Sequence, residues 1–230
     1  MVNSGYATEQ RASFSMTQVY GWMAAALAVT ATVAYYIYQS PEIFRSIFSN
    51  PAYVMAIVFI QLGLVLAIAF LLQRMSFITA VLLFATYAVS VGVTMSAILY
   101  AYTETSVYAA FFVTAGMFAG MALYGYFTKA DLTSVGSIGL MVLFGMILAM
   151  LVNMFLQSPG LAYAISAVGV VVFSLLVAYD TQKLKDMSRQ FLMDREMANK
   201  IALFGALTLY LDFINLFLSL LQFMGKRRED

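Results

Sequence analysis

The chain has 230 residues, of which 63% are hydrophobic and only 10% are charged, and its mean hydropathy is +0.89. A soluble protein of this size could not cover its surface with so few polar groups, so the composition indicates an integral membrane protein. The 12 basic and 11 acidic residues leave a net charge of +1, which excludes the electrostatic footprint of a nucleic-acid-binding protein.

Apolar runs of about the 20 residues needed to cross the hydrocarbon core of a bilayer follow one another along the chain. They predict seven transmembrane helices, at residues 18–38, 52–73, 78–101, 106–127, 134–156, 161–181 and 201–224. Turn signals separate the runs, such as SPE at 40–42 and SPG at 158–160, and the one long polar linker is 182–200. We therefore predict an all-α integral membrane protein, a bundle of seven transmembrane helices.

These runs leave no room for a soluble domain. We expect a single transmembrane bundle over residues 18–225, an N-terminal cytoplasmic segment over 1–17 without a cleavable signal, and a short charged C-terminal tail over 226–230. The lack of cysteine and the compact loops fit a bacterial inner membrane.

The positions of Lys and Arg predict a cytoplasmic N-terminus, because cytoplasmic loops carry an excess of basic residues. With that orientation only Arg45 falls in an outer loop. The inner segments hold Arg11, Arg74, Lys129, Lys183, Lys185, Arg189, Arg195 and Lys200. A full crossing by the last helix places the tail and its three basic residues outside, against this rule. A re-entrant segment is the alternative, but the length of the run favours a crossing.

The chain contains no cysteine and no histidine. Their absence removes thiolate and imidazole metal sites, haem ligation and the usual nucleophilic triads, so we expect neither an enzyme nor a cofactor. Gly116 and Gly120 have a spacing that suits close helix packing. We expect them to pack against another helix of the same bundle, in preference to a helix of a second copy of the chain.

The last apolar run carries a polar stripe. Residues at alternating steps of three and four line one side of a helix. The stripe consists of Gly205, Thr208, Asp212, Asn215, Ser219 and Gln222. In lipid such a stripe should face the bundle interior, and small polar residues there can simply join helices. An ionisable Asp212 at membrane depth is costly to insert and therefore indicates a function.

Asp180 ends a long uncharged stretch and is followed by Thr181, Gln182 and Lys183. A solvated or salt-bridged carboxylate at the membrane boundary is an equally good interpretation of Asp180 taken alone. Asp212 lies roughly 17 Å into its run, at ~1.5 Å per residue, so a tilted sixth helix or a water cavity is expected if the two carboxyl groups meet.

Three stretches of the chain resemble the transmembrane Bax-inhibitor-motif family, particularly its bacterial members. They are FFVTAGMFAGMALYGYFTKADLTSVG at 111–136, AYDTQKLK at 178–185 and LYLDFINLFLSLLQFMG at 209–225. The resemblance implies a central helix surrounded by the others and a pH-sensitive calcium leak across the membrane. It also implies that Asp180 and Asp212 form a hydrogen-bonded pair that senses protons. Arg74, at the end of the second predicted helix, matches by position an arginine that bonds to the first aspartate and helps close the pore.

The residues themselves give this mechanism a physical basis. Two carboxylates in a poorly hydrated site cannot both ionise cheaply, so we hypothesise that Asp180 and Asp212 share a proton. A change of protonation would redistribute hydrogen bonds among this pair and Arg74 and shift a helix. Calcium prefers oxygen ligands, so the ionised pair is also a candidate transient calcium site, completed by carbonyl groups or water. Protons and other cations remain alternatives, and Thr208, Asn215 and Ser219 are candidate residues beside the path.

Two other functions are compatible with parts of this sequence. Paired membrane aspartates also resemble presenilin-type intramembrane proteases, but the sequence Tyr210-Leu211-Asp212 lacks their glycine-containing motif and their Pro-Ala-Leu signature is missing. The other function is a non-conducting regulator that binds a membrane partner, such as a quality-control protease or a cell-death protein. Such a regulator would use exposed helix faces or the N-terminal segment and would not require Asp212 to titrate.

Overall fold

The computed structural model describes residues 13–190 and 194–228. Those residues form eight α-helices: α1 (Met16–Tyr38), α2 (Pro41–Phe48), α3 (Pro51–Leu71), α4 (Phe77–Ala101), α5 (Glu104–Phe127), α6 (Thr133–Leu156), α7 (Pro159–Gln190) and α8 (Arg195–Met224). All except α2 are long and apolar enough to cross a membrane. The predicted seven-transmembrane-helix bundle is confirmed.

Polar residues fix where most of the long helices begin. In five of them the residue before the helix accepts a hydrogen bond from a backbone N–H of the first turn. These residues are Ser15, Asn50, Ser76, Thr103 and Asp194. Such caps satisfy N–H groups that have no partner within the helix, which matters most at the edge of a bilayer.

Helix α8 is the central element of the bundle. It packs against α1, α4, α5 and α7, while α3 lies against α4 and α6 against α7. Large side chains of α8, such as Leu209, Tyr210 and Leu216, are completely buried. The outer helices α3 and α6 instead expose apolar side chains to the bilayer, among them Phe70 and Phe155. The expected central helix surrounded by the others is therefore present.

Two predicted connections are helical. The first connection contains α2, where Pro41 starts a short helix with a strongly amphipathic sequence. The predicted linker over 182–200 was wrong, because α7 continues to Gln190 and α8 begins at Arg195. The charged side chains of this stretch are compatible with helices that leave the apolar layer, and Lys185 binds the Tyr126 carbonyl at 3.1 Å as α7 passes α5.

The bundle has two ends that differ in charge. One end, which we call the basic end, contains the start of α1, the α3–α4 turn, the α5–α6 connection, the end of α7 and the start of α8. The opposite end, which we call the tail end, contains the remaining helix termini. At the tail end residues 226–228 pack on the α4–α5 connection. The backbone N–H of Thr103 bonds to the Lys226 carbonyl at 3.1 Å, and that of Arg228 to the Ala101 carbonyl at 3.0 Å. Helix α8 thus crosses the whole bundle and does not re-enter. Residues 1–12 and 229–230, which belong to the predicted terminal segments, lie outside the described residues.

Glycines bring the helices of the core together, but not the pair that the sequence singled out. A Cβ added at Gly125 would meet the backbone of Ala178, and one at Gly136 would lie 2.6 Å from the Tyr179 ring. A Cβ at Gly116 or Gly120 would meet nothing within 4 Å. The predicted packing of Gly116 and Gly120 inside the bundle was therefore wrong, because this face of α5 points outward.

Candidate functional site

The candidate site lies where α7 and α8 pack side by side in opposite directions. Close contacts on either side of it fix the register of the two helices. Gly169 of α7 lies against Ser219 of α8, and Gly205 of α8 lies against Leu184 of α7. Gly125 allows α5 to approach the backbone of α7 at Ala178, two residues before Asp180. The backbone beside Asp180 is thus held from two directions.

Asp212 occupies the interior between these helices. Its side chain is only 6% exposed, and its Oδ2 atom is buried without a hydrogen-bond donor anywhere in residues 13–190 and 194–228. A buried polar atom without a partner costs free energy, and for a carboxylate the cost is larger than for a neutral group. Among the described residues, it is the one buried side-chain nitrogen or oxygen atom without a hydrogen-bond partner.

Asp180 supplies the other carboxyl group. It is half-buried on α7, and its side chain lies within hydrogen-bonding reach of the Asp212 side chain. Ionised carboxylates only accept hydrogen bonds, so a hydrogen bond between the two requires one proton. The positive charge of Lys183, one turn further along α7, also acts on Asp180. The structure therefore brings together Asp212, which the polar stripe indicated, and Asp180, which the resemblance to the family paired with it.

Polar contacts close the bundle between this pair and the basic end. Gln182 accepts a hydrogen bond from the backbone of Leu132 at 2.9 Å and donates one to the Ala130 carbonyl at 2.8 Å. The hydroxyl groups of Tyr20 and Thr181 are 3.5 Å apart. These contacts join α7 to α1 and to the α5–α6 connection, one residue or two beyond Asp180.

A small surface cavity of about 300 Å³ opens at the basic end. Its lining includes Tyr179, Gln182 and Lys183 of α7 and Asp131 of the α5–α6 connection. The cavity reaches Tyr179 but its lining does not include either aspartate of the pair. The cavity and the pair are therefore separate features within the described residues, and an open connection between them is not present.

Arg74 is not part of the pair's surroundings. It lies in the turn after α3, with an exposed side chain that makes no hydrogen bond or ion pair to any described residue. The structure places it at the basic end without joining it to Asp180. Its role as a gating partner stays a prediction.

The polar stripe of α8 is only partly directed into the bundle. Thr208 donates to the carbonyl of Phe204 in its own helix at 3.1 Å, and Ser219 packs against Gly169. Asn215 is half-buried and forms no side-chain hydrogen bond within the described chain, while Gln222 is exposed. Thr208 and Ser219 thus have structural contacts, and their place beside an ion path stays a prediction, as does that of Asn215.

The structure also shows a buried polar contact that the sequence reasoning missed. Tyr210, two residues before Asp212, is completely buried, and its hydroxyl lies 2.7 Å from the Thr30 hydroxyl of α1. Thr30 in turn donates to the Ala88 carbonyl of α4 at 2.9 Å. A tyrosine within an apolar run was the available signal, because a buried Tyr hydroxyl usually has a partner.

No cluster of three or more Asp, Glu, His or Cys side chains that could hold a metal ion occurs within residues 13–190 and 194–228. Calcium takes six to eight oxygen ligands, roughly, so two aspartates can supply only part of a coordination shell. The two aspartates alone therefore do not form a complete calcium site, and their role as a transient one stays a prediction.

The model of one protein family, described as inhibitor of apoptosis-promoting Bax1, matches residues 12–229 of this chain. The chain belongs to this family. One relative is the inner membrane protein YbhL of Escherichia coli, which is 45% identical to this chain over 93% of this chain and 92% of its own length. An uncharacterized protein of Borreliella burgdorferi is 46% identical over 94% and 93% of the two chains. The protein RP147 of Rickettsia prowazekii is 42% identical over 93% and 90%.

Proposed function

We propose that this Bax1-inhibitor family member is a pH-sensitive calcium leak channel of the bacterial inner membrane, gated by a proton that Asp180 and Asp212 share. The observation that carries the proposal is the contact of two carboxyl groups, from adjacent helices, inside a transmembrane bundle. The seven spanning helices and the name of the Escherichia coli relative support the location.

A shared proton makes the α7–α8 contact depend on pH. With one proton the pair forms a hydrogen bond, whereas two ionised carboxylates repel each other. At a separation of ~4 Å and an effective dielectric constant of ~20, that repulsion amounts to about 4 kcal/mol. An energy of this size is enough to shift a two-state equilibrium by about a thousandfold. Loss of the proton therefore weakens the contact that holds α7 against the central helix.

The same two carboxylates account for an ion path. Once ionised and partly separated, they offer oxygen ligands to a cation that enters from the basic end, and water completes the shell. Binding at such an incomplete site is weak, which conduction requires. Calcium is the ion that we propose is conducted. Protons and other cations are the alternative conducted ions, and their flux should be compared with that of calcium.

The charge distribution supports a cytoplasmic N-terminus. Basic residues are concentrated at the end of the bundle where α1 starts, which the positive-inside rule assigns to the cytoplasm. At the tail end Arg228 lies 3.7 Å from Glu104, so part of the tail's positive charge is offset. Arg74 is at the proposed cytoplasmic end, and a gating contact with Asp180 would require the α3–α4 turn to move.

Calcium uptake into proteoliposomes at pH 5 to 8 tests the proposal, with protein-free vesicles as the baseline. Asp180→Asn and Asp212→Asn are the test variants, and Glu196→Gln, which changes an exposed acid at the same end that does not line the cavity, is the matched control. We expect flux that varies with pH in the native chain and in the control, and loss or displacement of that variation in both test variants. If folded protein gives no calcium flux above the protein-free baseline at any pH, the channel function is refuted.

A non-conducting regulator is the second candidate, and one observation favours it. Gly116 and Gly120 leave an open, lipid-facing strip on α5, and small residues at this spacing allow close approach of another transmembrane helix. A membrane partner such as a quality-control protease could dock there. In that case Gly116→Leu would abolish co-purification of the partner, and the aspartate variants would leave it unchanged.

A further inference from the structure

An apolar cleft opens toward the bilayer between α1 and α5, near the tail end. Its volume is about 570 Å³, and α8 forms its floor. The walls include Ala31 and Tyr35 of α1 and Tyr108 and Phe112 of α5, and the floor includes Phe213 and Phe217. Tyr35, Tyr108 and Phe112 are 58%, 61% and 71% exposed, so the cleft is accessible from the hydrocarbon layer.

The polar mouth of the cleft lies at the tail end of the bundle. Tyr38 and Glu104 belong to the lining, and Arg228 binds both, with its Nη2 atom 2.6 Å from the Tyr38 hydroxyl and 3.7 Å from Glu104. This bridge joins the end of α1 to the start of α5. Because this bridge lies across the tail end of the cleft, an apolar ligand must enter the cleft sideways from the hydrocarbon layer.

Two further basic residues come directly before Arg228 in the chain and contact the α4–α5 connection. The backbone N–H of Lys226 bonds to the Ser106 hydroxyl at 2.9 Å, and the guanidinium of Arg227 lies 5.9 Å from the centre of the Tyr102 ring. Both side chains are exposed, and neither forms an ion pair with another residue of the described chain. An apolar cleft thus ends at a cationic surface at the level of a helix terminus.

This combination matches one class of ligand. We propose that the cleft binds one acyl chain of a membrane phospholipid, whose phosphate is held by Lys226 and Arg227. The volume is in the roughly 300–1,000 Å³ range of single small-ligand pockets, far too small for a transmembrane helix. Basic side chains at a membrane surface attract lipid phosphate, while the apolar walls exclude water. The site is independent of the proposed leak activity, although its floor residue Phe213 adjoins Asp212.

Photo-crosslinking of the full chain in phosphatidylcholine vesicles tests the site. Two trace lipids carry the same diazirine in mid-chain, one a phosphatidylglycerol and the other a diacylglycerol without phosphate, and adducts are mapped by mass spectrometry. We expect the phosphatidylglycerol adducts to concentrate on Tyr108 and Phe112, and roughly tenfold weaker labelling by the diacylglycerol. Equal labelling by the two lipids, or adducts spread evenly over α3 and α6, would overturn the proposal.

Matched variants separate the cleft from the general lipid surface. Ala31→Trp fills the cleft, whereas Ala25→Trp places the same side chain on an exposed part of α1 outside the lining. We expect at least a fivefold loss of cleft adducts in the first and native labelling in the second. The double variant Lys226→Gln and Arg227→Gln leaves the core intact and should reduce phosphatidylglycerol labelling to the diacylglycerol level. Unchanged labelling in the double variant would refute phosphate binding even if Ala31→Trp fails to fold.

Discussion

The contact between Gly125 and the backbone of Ala178 gives a sharp test of how Asp180 is positioned. In Gly125→Ala the new methyl group would overlap the Ala178 carbonyl, and neither backbone can turn away as a side chain would. Overpacking of a core costs about 1–3 kcal/mol, and the better helix propensity of alanine returns at most about 1 kcal/mol. We therefore expect a net destabilisation of about 1–2 kcal/mol, which lowers the melting temperature by roughly 2–8 °C for a chain of this length.

Gly120→Ala is the control for this prediction, because the same change on the same helix meets nothing within 4 Å. Its melting temperature should equal or slightly exceed that of the native chain. The melting temperatures of both variants are measured in detergent: samples are heated to a series of temperatures, and the folded protein that remains is quantified by size-exclusion chromatography. Equal melting temperatures for Gly125→Ala and Gly120→Ala would refute the reasoning that close α5–α7 packing holds the backbone beside Asp180.

Three further predictions concern the pair, the buried tyrosine and the tail. The double variant Asp180→Asn and Asp212→Asn should alter the pH dependence of calcium flux no more than either single change does, because each change alone already removes the shared proton. Additive effects of the two changes would show that the aspartates are separate sensors. Tyr210→Phe should lower the unfolding free energy by about 1 kcal/mol, since one buried hydrogen bond is lost while the ring packing remains; a change below about 0.3 kcal/mol in chemical denaturation would contradict this. Glu104→Gln should cost less than about 1 kcal/mol by the same measurement, since the ion pair with Arg228 is exposed, and a larger loss would show a structural latch.

The sequence predicted the transmembrane helices well because each apolar run is long and bounded by turn residues. It missed α2, whose eight residues are too few to span, and it assigned the end of α7 to a linker. Lys183, Lys185 and Asp186 break the apolar pattern there, but a helix that leaves the membrane can carry such residues without ending. Hydropathy reports the boundary of the apolar layer, and helix geometry is not bound to it.

Which face of a helix points inward was harder to predict. Helix α5 is apolar nearly all round, so nothing in its sequence distinguishes the outward Gly116 and Gly120 from the inward Gly125. On α8 the polar stripe correctly placed Asp212 inside, because only the interior offers a partner to a carboxyl group. The contact with Asp180 came from the resemblance to the family, since residues alone left a boundary carboxylate equally plausible.

Arg74 shows the limit of prediction by position. The basic end and the end of α3 were correctly placed, but the direction of an exposed side chain in the turn at residues 72–75 depends on contacts that no sequence pattern encodes. Its nearest connection to the proposed gate is that α3 packs on α4, which in turn contacts α8. A gating role would therefore act through movement of α3 and not through a contact present in this state.

A direct measurement of the shared proton tests the central claim. Infrared spectroscopy of the reconstituted protein at neutral pH, in normal and heavy water, detects a protonated carboxyl group by its exchange-sensitive C=O band. Hydrogen bonds from the side chain and backbone of Thr133 lower the pKa of the exposed Asp131, so that residue is ionised at this pH and Asp131→Asn serves as the control. We predict a band in the native chain and in Asp131→Asn that shifts in frequency or disappears in each of Asp180→Asn and Asp212→Asn, because either change removes one partner of the shared hydrogen bond. A band that is missing from the native chain, or that is unchanged in both variants, would contradict the shared proton.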